Sequence, residues 1–447
     1  MYICHRFIAC FLDGLLEMAS LSASMTYYPP QTSLSGISRE FETSMKPQSL
    51  PRGRTIHFAK MSTTPAPLSP KFVPAEKSGI TSVSKSDGFK FSLVSYNILA
   101  QVIRPCSNLL RQFIYFIIFI KCMQAYVKGD LFPHSPGPCL KWKARSQAIL
   151  TVLKSLGADF LCLQELDEYD SFYKRNIESV GYSSIYIKRS GQKRDGCGVF
   201  YKQDSAELVI EEKIEYNDLV PSNQDDTSSE DKEENLPSGG NKKSASKDAD
   251  LKNRRANRGD LNDPCVRFKR DCVGIMAAFR LKDPSHLIIV ANTHIYWDPE
   301  LADVKLAQAR YLLSRLAQFK LLVSDKFDCS PSVVVTGDFN SLPGSQVYQY
   351  LMSGSSEAGT LPEISDDVHI PLCSAYASTR GEPHFTNYTP GFTGTLDYIL
   401  FSPSGGIKPV SYLELPEPEA LDVQGGLPNY YHPSDHLPIG AEFEIIQ

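Results

Sequence analysis

The sequence lacks the features of a membrane protein, a disulfide-rich protein or a strongly basic nucleic-acid-binding protein. Its most apolar run, residues 113–120, is far shorter than the roughly 20 residues of a membrane-spanning helix, so we expect no membrane association. The 11 cysteines have no metal-ligand spacing, and Cys162 and Cys197 lie inside apolar runs, which predicts free thiols in a reducing compartment. With a net charge of −5, no overall positive field attracts nucleic acid, although a local basic groove stays compatible with it.

Composition divides the chain into a polar N-terminal region and one large domain. Residues 1–88 are rich in Ser, Thr and Pro, show no sustained periodicity and are expected to be unstructured. A targeting segment in this region is the alternative. The expected location is therefore the cytoplasm, with the nucleus and, if the segment is a targeting signal, an organelle as alternatives. Residues 89–447 form the predicted domain, with insertions at about 103–125 and 217–263. The second insertion has almost no apolar residues and cannot bury a core.

Apolar periodicity predicts strands and helices that alternate in some parts of the domain, while strands follow one another directly in others. The predicted strands are 90–97, 160–164, 196–201, 272–280, 287–293, 333–336, 396–401 and 439–445, and the predicted helices are 142–156 and 302–320. Gly157 is a predicted C-cap. This order predicts an α/β fold: two mixed β-sheets packed face to face with helices outside, a four-layer sandwich.

Acids and amides follow the predicted strands. Asp338 and Asn340 are two positions apart after strand 333–336, where Gly337 is expected to allow a sharp turn, and they should face the same side. Glu165 follows strand 160–164, and Asp435 precedes His436 near the C-terminus. Together these groups can hold a hard cation, ionise a water molecule and stabilise developing charge. The pattern therefore favours metal-dependent phosphodiester cleavage.

These motifs resemble, in order, those of the endonuclease/exonuclease/phosphatase superfamily. The matching segments are 95–101, 164–165, 195–197, 292–294, 337–340, 395–398 and 434–436. Each is weak alone, but their occurrence together in the order found in that superfamily is very unlikely by accident. Trp297-Asp298-Pro299-Glu300 with Asp303-Val304-Lys305-Leu306 resembles more specifically the carbon catabolite repressor four-type deadenylases, which remove poly(A) from mRNA and have nocturnin and the Angel proteins as relatives.

The resemblance implies a role for each matching residue. Glu165 and Asn97 would hold magnesium, or manganese in its place, with Asn97 contributing its amide oxygen. Asp338 would position and deprotonate the attacking water, Asn340 would donate to the transition-state phosphate, and His294 would bind the scissile phosphate.

The resemblance also implies residues that contact the scissile phosphate and the terminal adenine. His436 would contact the phosphate, while Asp435 orients it or the metal shell and Asp397 pairs with a histidine. Pro299 and Phe392 match positions that flank the terminal adenine.

A basic cluster precedes Asp195. Lys188 and Arg189 belong to it and are candidates for the RNA backbone, with a solvated charge run as the alternative.

Three functions remain open from the sequence. The first is a 3′-to-5′ exoribonuclease acting on poly(A) mRNA, with deadenylation-complex proteins as partners but without a leucine-rich-repeat docking module. The second is a nocturnin-like phosphatase acting on NADPH or another nucleotide. The third is an inactive interaction protein, impaired by the insertion at 103–125. The composition of this insertion resembles translated non-coding sequence, which indicates a retained intron or a gene-model error, with a genuine loop as the alternative.

Overall fold

The computed structural model describes residues 65–75, 88–101, 127, 129, 131–220, 262–282, 286–353 and 370–446. They belong to one compact unit, residues 62–447. The strands are β1 Phe72–Pro74, β2 Lys90–Asn97, β3 Phe160–Gln164, β4 Tyr182–Lys188, β5 Gly196–Lys202, β6 Ala206–Glu215, β7 Val273–Leu281, β8 Leu287–His294, β9 Ser332–Asp338, β10 Cys373–Ser374, β11 Asn387–Thr389, β12 Phe392–Gly394, β13 Asp397–Phe401, β14 Ile407–Leu413 and β15 Ile439–Ile445. The helices are α1 Trp142–Leu156, α2 Lys174–Glu178, α3 Pro264–Arg267, α4 Ala302–Phe327 and α5 Gln346–Ser353.

The strands form two large mixed sheets. The first has the order β1-β14-β15-β2-β3-β5-β4, and the second has the order β10-β13-β9-β8-β7-β6. Parallel pairing joins β2 to β3 and β8 to β9. A separate hairpin of β11 and β12 lies outside them.

Period-2 alternation explains how the sheets are layered. In β2, Phe91 and Leu93 point into a core shared with the second sheet, while Val94 and Tyr96 point into a core shared with α1. Residues of β8 divide in the same way between the shared core and a third cluster under α4. The layers are therefore helix, sheet, sheet and helix, which confirms the predicted four-layer α/β sandwich.

Local signals placed the helix boundaries. Helix α1 has its predicted bounds and ends at Gly157, whose left-handed φ of 54° suits a residue without a side chain. Helix α4 extends beyond the predicted end at residue 320. Its buried face continues through Phe319 and Val323, and the helix stops at Asp328, which is also left-handed.

Two stretches expected to lack structure contribute to the fold where they are described. Phe72–Pro74 lies in the predicted unstructured region but pairs antiparallel with β14 as an edge strand. Asn217 lies in the predicted insertion 217–263 but belongs to a short 3-10 turn, where its amide donates to Asp271 Oδ1 at 2.9 Å. Insertion 103–125 lies outside the described residues.

Strands β4, β6 and β14 were also not predicted, and in β14 Pro409 interrupts the apolar pattern. The structure accommodates this residue at a register shift between β14 and β15.

The described residues also bear on membrane-spanning helices and on the cysteines. Within these ranges, no helix is both long and apolar enough to cross a membrane. The seven cysteines described are all free, and Cys162 and Cys197 are buried, as predicted.

Candidate active site

Two pairs of parallel strands bring polar side chains to the candidate site. Asn97 ends β2 opposite Gln164 of β3, and Glu165 follows directly. In the second sheet, His294 ends β8 beside Asp338, the last residue of β9. The site therefore combines residues from both sheets, as the strand-end pattern predicted.

Gly337 has a different role from the one predicted. It lies within β9 rather than in a sharp turn, with φ of 148°. A Cβ atom at this position would lie 2.0 Å from the carbonyl oxygen of Thr293. The glycine is therefore required for the close approach of β9 to β8, which sets the position of Asp338.

Asp338, Asp397 and His436 form a buried cluster. His436 Nδ1 lies 2.7 Å from Asp397 Oδ2, which also accepts a hydrogen bond from Thr386 Oγ1 at 2.6 Å. His436 Nε2 lies 3.7 Å from Asp338 Oδ2. The hydrogen bond to Asp397 thus fixes the imidazole ring of His436 so that Nε2 faces Asp338. This agrees with the prediction that Asp397 pairs with a histidine.

The two histidines near Asp338 have opposite pKa shifts. Burial alone would lower the pKa of His436, but Asp397 and Asp338 outweigh it and raise that pKa well above its ordinary value. Burial lowers the pKa of His294, and the attraction of Asp338, 3.6 Å away, only partly opposes it. The two shifts favour the imidazolium form of His436 and the neutral form of His294.

Asn340 shapes the turn after β9. Its backbone N–H donates to Asp338 Oδ1 at 2.8 Å, and its side-chain amide donates to the carbonyl of Ile295 at 3.1 Å. Lys305, on the first turn of α4, donates to the Asn340 carbonyl at 2.9 Å. Lys305 belongs to the segment 303–306 of the deadenylase resemblance, which implied no role for it, and its position between two apolar residues of a helix is what indicates its burial in the sequence.

Asn97 connects the two halves of the site. Its amide nitrogen donates to Glu165 Oε1 at 3.1 Å and to Asp338 Oδ2 at 3.0 Å. Its oxygen accepts the N–H of Leu99. In this orientation the amide nitrogen of Asn97 faces the two carboxylates, and its oxygen accepts one local hydrogen bond, so its role as a metal ligand stays a prediction.

The Glu165 carboxylate lies in a strongly acidic environment. It also accepts the N–H of Ala100 at 2.9 Å. Burial raises the pKa of Glu165, and the nearby carboxylates of Asp435 and Asp195 raise it further. Asp435 is half-buried and receives an amide contact from Asn387 at 3.4 Å. A bound cation would relieve this concentration of negative charge.

The donor set fits a hard divalent cation. Glu165, Asp338 and Asp435 offer carboxylate oxygens, and the buried Asp397 Oδ1 has no hydrogen-bond partner among the described residues. Oxygen donors of this kind suit magnesium, which needs only one or two protein carboxylates. The buried Asp338–Asp397–His436 cluster is also close enough to hold an ion, although the charge on His436 makes it a poor ligand.

Arg145 is a site residue that sequence reasoning missed. It is fully buried, and its guanidinium donates to the carbonyls of Ile98 and Leu99, to Pro433 and to the side-chain oxygen of Gln101. Arg145 thus joins the segment after Asn97 to the segment that carries Asp435 and His436. In the sequence, the only indication that Arg145 is buried is its position four residues before Ile149, on the same face of α1.

We expect Arg145→Met to lower the free energy of unfolding by about 3 kcal/mol or more. Buried carbonyl groups would lose their donor, and each such loss costs roughly 1–3 kcal/mol. Urea denaturation would measure the change, with Lys154→Met on the exposed face of the same helix as the control. Equal stability of the two variants would contradict this role.

The predicted substrate-binding residues lie outside this network of contacts. Pro299 is exposed in a 3-10 turn before α4, and Phe392 is 39% exposed on the β11–β12 hairpin. Lys188 is exposed at the end of β4.

Arg189 does not match its predicted role in binding RNA. Its guanidinium pairs with Asp195 at 3.2 Å and donates to the Asp271 carbonyl at 3.0 Å. The β4–β5 hairpin aligns Arg189 with Asp195, and this pairing keeps the side chain mostly buried.

Comparisons with known proteins support the architecture and the motif order. The model for the Endonuclease/Exonuclease/phosphatase family matches residues 94–436. Carbon catabolite repressor protein 4 homolog 4 from Arabidopsis thaliana is 56% identical over 408 residues, covering 88% of this chain and 95% of that protein. The CCR4-Not complex 3′-5′-exoribonuclease subunit Ccr4 from Schizosaccharomyces pombe is 27% identical, over 81% of this chain but 50% of its own length.

One solved structure shows the same fold. It is ANGEL2, a 2′,3′-cyclic phosphatase, in complex with adenosine-2′,3′-vanadate, with a TM-score of 0.57 and 24% identity. The match covers 85% of this chain and 99% of the ANGEL2 chain.

Proposed function

This chain belongs to the endonuclease/exonuclease/phosphatase family, and we propose that it is a magnesium-dependent 3′-to-5′ exoribonuclease that shortens poly(A) tails. The Schizosaccharomyces pombe relative is named as a 3′-5′-exoribonuclease subunit of the CCR4-Not complex, and the more similar Arabidopsis relative is named as a homologue of carbon catabolite repressor protein 4. One observation supports the proposal most directly. The Asn97 amide joins Glu165 and Asp338, and so brings a cation-binding acid and a base into one cleft.

Asp338 is the group that positions and deprotonates the attacking water. Hydrogen bonds from Asn340 N–H and from the Asn97 amide hold its carboxylate in place. Water oxygen bonds to the phosphorus while the bond from phosphorus to the 3′-oxygen of the penultimate nucleotide breaks. The products are adenosine monophosphate and an RNA with a new 3′-hydroxyl.

His436 stabilises the phosphate. Asp397 accepts its Nδ1–H, so its Nε2–H points towards the reaction centre with a positive charge. The neutral His294 offers a second donor without adding charge. Magnesium, when bound, would neutralise phosphate charge and make water more acidic. Glu165 would hold it.

A matched assay tests the proposal against its alternatives. The protein would be incubated with magnesium and either 5′-labelled RNA ending in adenosines or NADPH, with a chelator and Asp338→Ala as controls. A ladder of shortened RNA that both controls abolish would support the exoribonuclease. Phosphate release from NADPH alone would instead favour the nocturnin-like phosphatase, and inactivity on both would favour the interaction protein.

We expect Phe392→Ala to weaken use of poly(A). Stacking of a base on an aromatic side chain is worth about 1–3 kcal/mol, which corresponds to roughly 5- to 150-fold in kcat/KM. Leu322→Ala is the control, because Leu322 is similarly exposed, at 50%, but lies towards the far end of α4. An unchanged kcat/KM in the Phe392 variant would show that the ring only packs its hairpin.

The partners and the location also remain proposals. The name of the fission yeast relative places that protein in the CCR4-Not complex, which supports contacts with deadenylation-complex proteins here. The free buried thiols support a reducing compartment such as the cytoplasm or nucleus. Purification of the tagged protein with its partners from fractionated cells would test both.

A further inference from the structure

Two buried side-chain amides join the sheets beneath the candidate active site. Gln164 ends β3 of the first sheet, Asn292 lies in β8 of the second, and neither side chain is exposed. Gln164 Nε2 donates to Asn292 Oδ1 at 2.7 Å, across the interface between the two sheets. The core around this bond is apolar. A hydrogen bond in such a core holds its two elements in one relative position, because a displaced partner would be left without a substitute.

Backbone carbonyls fix the orientation of both amides. Asn292 Nδ2 donates to the carbonyls of Leu163 and Gly198 in the first sheet, each at 3.0 Å. Gln164 Nε2 also donates to the carbonyl of Cys162 at 3.2 Å. Since a carbonyl only accepts hydrogen bonds, neither amide can turn over without bringing oxygen against oxygen. Asn292 is therefore tied to the first sheet by three hydrogen bonds.

The amide pair is not built for stability alone. Gln164 Oε1 is buried and has no hydrogen-bond partner among the described residues. An unpaired buried oxygen carries a desolvation cost, which two apolar side chains of the same shape would avoid. The sequence therefore retains a polar contact where an apolar one would be less costly, and this points to a role in geometry.

The chain leads from each amide directly to the candidate active site. Glu165 follows Gln164, and its φ of 53° is a left-handed conformation that a residue with a side chain keeps only where its surroundings hold it. His294 lies two positions after Asn292, about 7 Å further along β8 and on the same face. Asp338 is the partner of His294 in the neighbouring strand.

Two links between the sheets fix more than one link can. The amide of Asn97 joins Glu165 to Asp338 at the level of the carboxylates. The Gln164–Asn292 bond lies one layer deeper in the same interface. A single link would allow the sheets to pivot about it, whereas two links set both the separation of the sheets and the angle between them.

We propose that Gln164 and Asn292 are positioning residues, whose hydrogen bond sets the distance between Glu165 on the first sheet and Asp338 on the second. Neither amide touches the substrate. The inference rests on the proposed exoribonuclease function and deepens it, because it explains how a cation-binding acid and a base from different sheets keep one geometry.

Two substitutions of Gln164 test the proposal. Gln164→Met keeps the length of the side chain but removes the donor to Asn292. Gln164→Asn keeps an amide but is shorter by one methylene, and it serves as a second variant if methionine is not accommodated. We expect kcat for RNA shortening to fall by about 10- to 100-fold, since a displacement of about 1 Å at a reacting group can cost about 100-fold. KM should change little.

Magnesium titration followed by thermal unfolding separates positioning from damage to the cation site. Glu165 belongs to the first sheet, so the Gln164 variants should keep the wild-type rise in melting temperature with magnesium while kcat falls. Ser332→Ala is the control, because its buried hydroxyl donates to the Gly405 carbonyl at the opposite end of β9, about 20 Å from Asp338. This control should lower the melting temperature and retain kcat.

Three results would overturn the positioning role. They are wild-type kcat in both Gln164 variants, an equal loss of kcat in the Ser332 control, and a loss of the magnesium response together with kcat. If the wild-type protein shortens no RNA, the exoribonuclease function fails and this proposal fails with it.

Discussion

Replacement of Asp338 with asparagine is expected to lower kcat for poly(A) shortening by about 10²- to 10⁴-fold, the usual contribution of a positioned general base. Asparagine keeps an oxygen that can accept the N–H of Asn340, so the turn after β9 should be retained. It cannot take a proton from water. The loss should therefore appear in kcat more than in KM.

The same variant should be more stable than the wild-type protein when no metal is present. Burial raises the pKa of Asp338, and the charge of Asp397 raises it further, against the opposing effects of His436 and His294. A raised pKa in the folded state means that stability is greatest below the unfolded value near 4 and is lost as the pH rises through the folded value. At neutral pH the raised pKa of Asp338 therefore lowers the stability of the folded protein, and asparagine, which does not titrate, removes that cost.

Two measurements check these expectations together. Single-turnover kinetics on labelled poly(A) would give the loss in rate, and thermal unfolding in chelator from pH 4 to pH 8 would give the stability. The melting temperatures of variant and wild type should converge as the pH falls. Asp325→Asn is the control, because it makes the same chemical change at an exposed position of α4. An active Asp338→Asn protein would remove this residue from the mechanism.

Glu165→Gln is expected to abolish the stabilisation of the protein by magnesium. If Glu165 holds the ion, magnesium at 100 times its dissociation constant should stabilise the wild-type protein by about 2.7 kcal/mol. Glutamine can still accept the N–H of Ala100, so the local structure should persist without the charge that attracts the cation. Activity should fall with metal binding, and a chelator should reproduce the loss in the wild-type protein.

Magnesium titration followed by thermal unfolding would test this without relying on catalysis. Glu207→Gln, an exposed change on β6, should respond to magnesium like the wild-type protein. A Glu165 variant with the full magnesium response would place the cation elsewhere, and the Asp338–Asp397–His436 cluster would then be the next candidate.

The sequence determined the features that depend on neighbours along the chain. The alternation in 90–97 gave strand β2 with its correct bounds, and the apolar spacing of 142–156 with Gly157 gave helix α1. The two-layer arrangement of sheets followed from the order of these elements. The motif order also placed Asp338, His294 and Glu165 near one another, because strand ends meet at the edge of a sheet.

Only the tertiary structure decided which atoms of those residues face one another. Asn97 and Asp338 are 241 positions apart, and no local pattern shows that the amide of Asn97 offers its nitrogen to Asp338. Three other features likewise depend on partners that are distant in sequence. They are the burial of the Arg189 guanidinium against Asp271, the pairing of Phe72–Pro74 with β14 and the burial of Arg145. Periodicity records which face of an element is buried, but hydrogen-bond partners are fixed only when separate elements pack together.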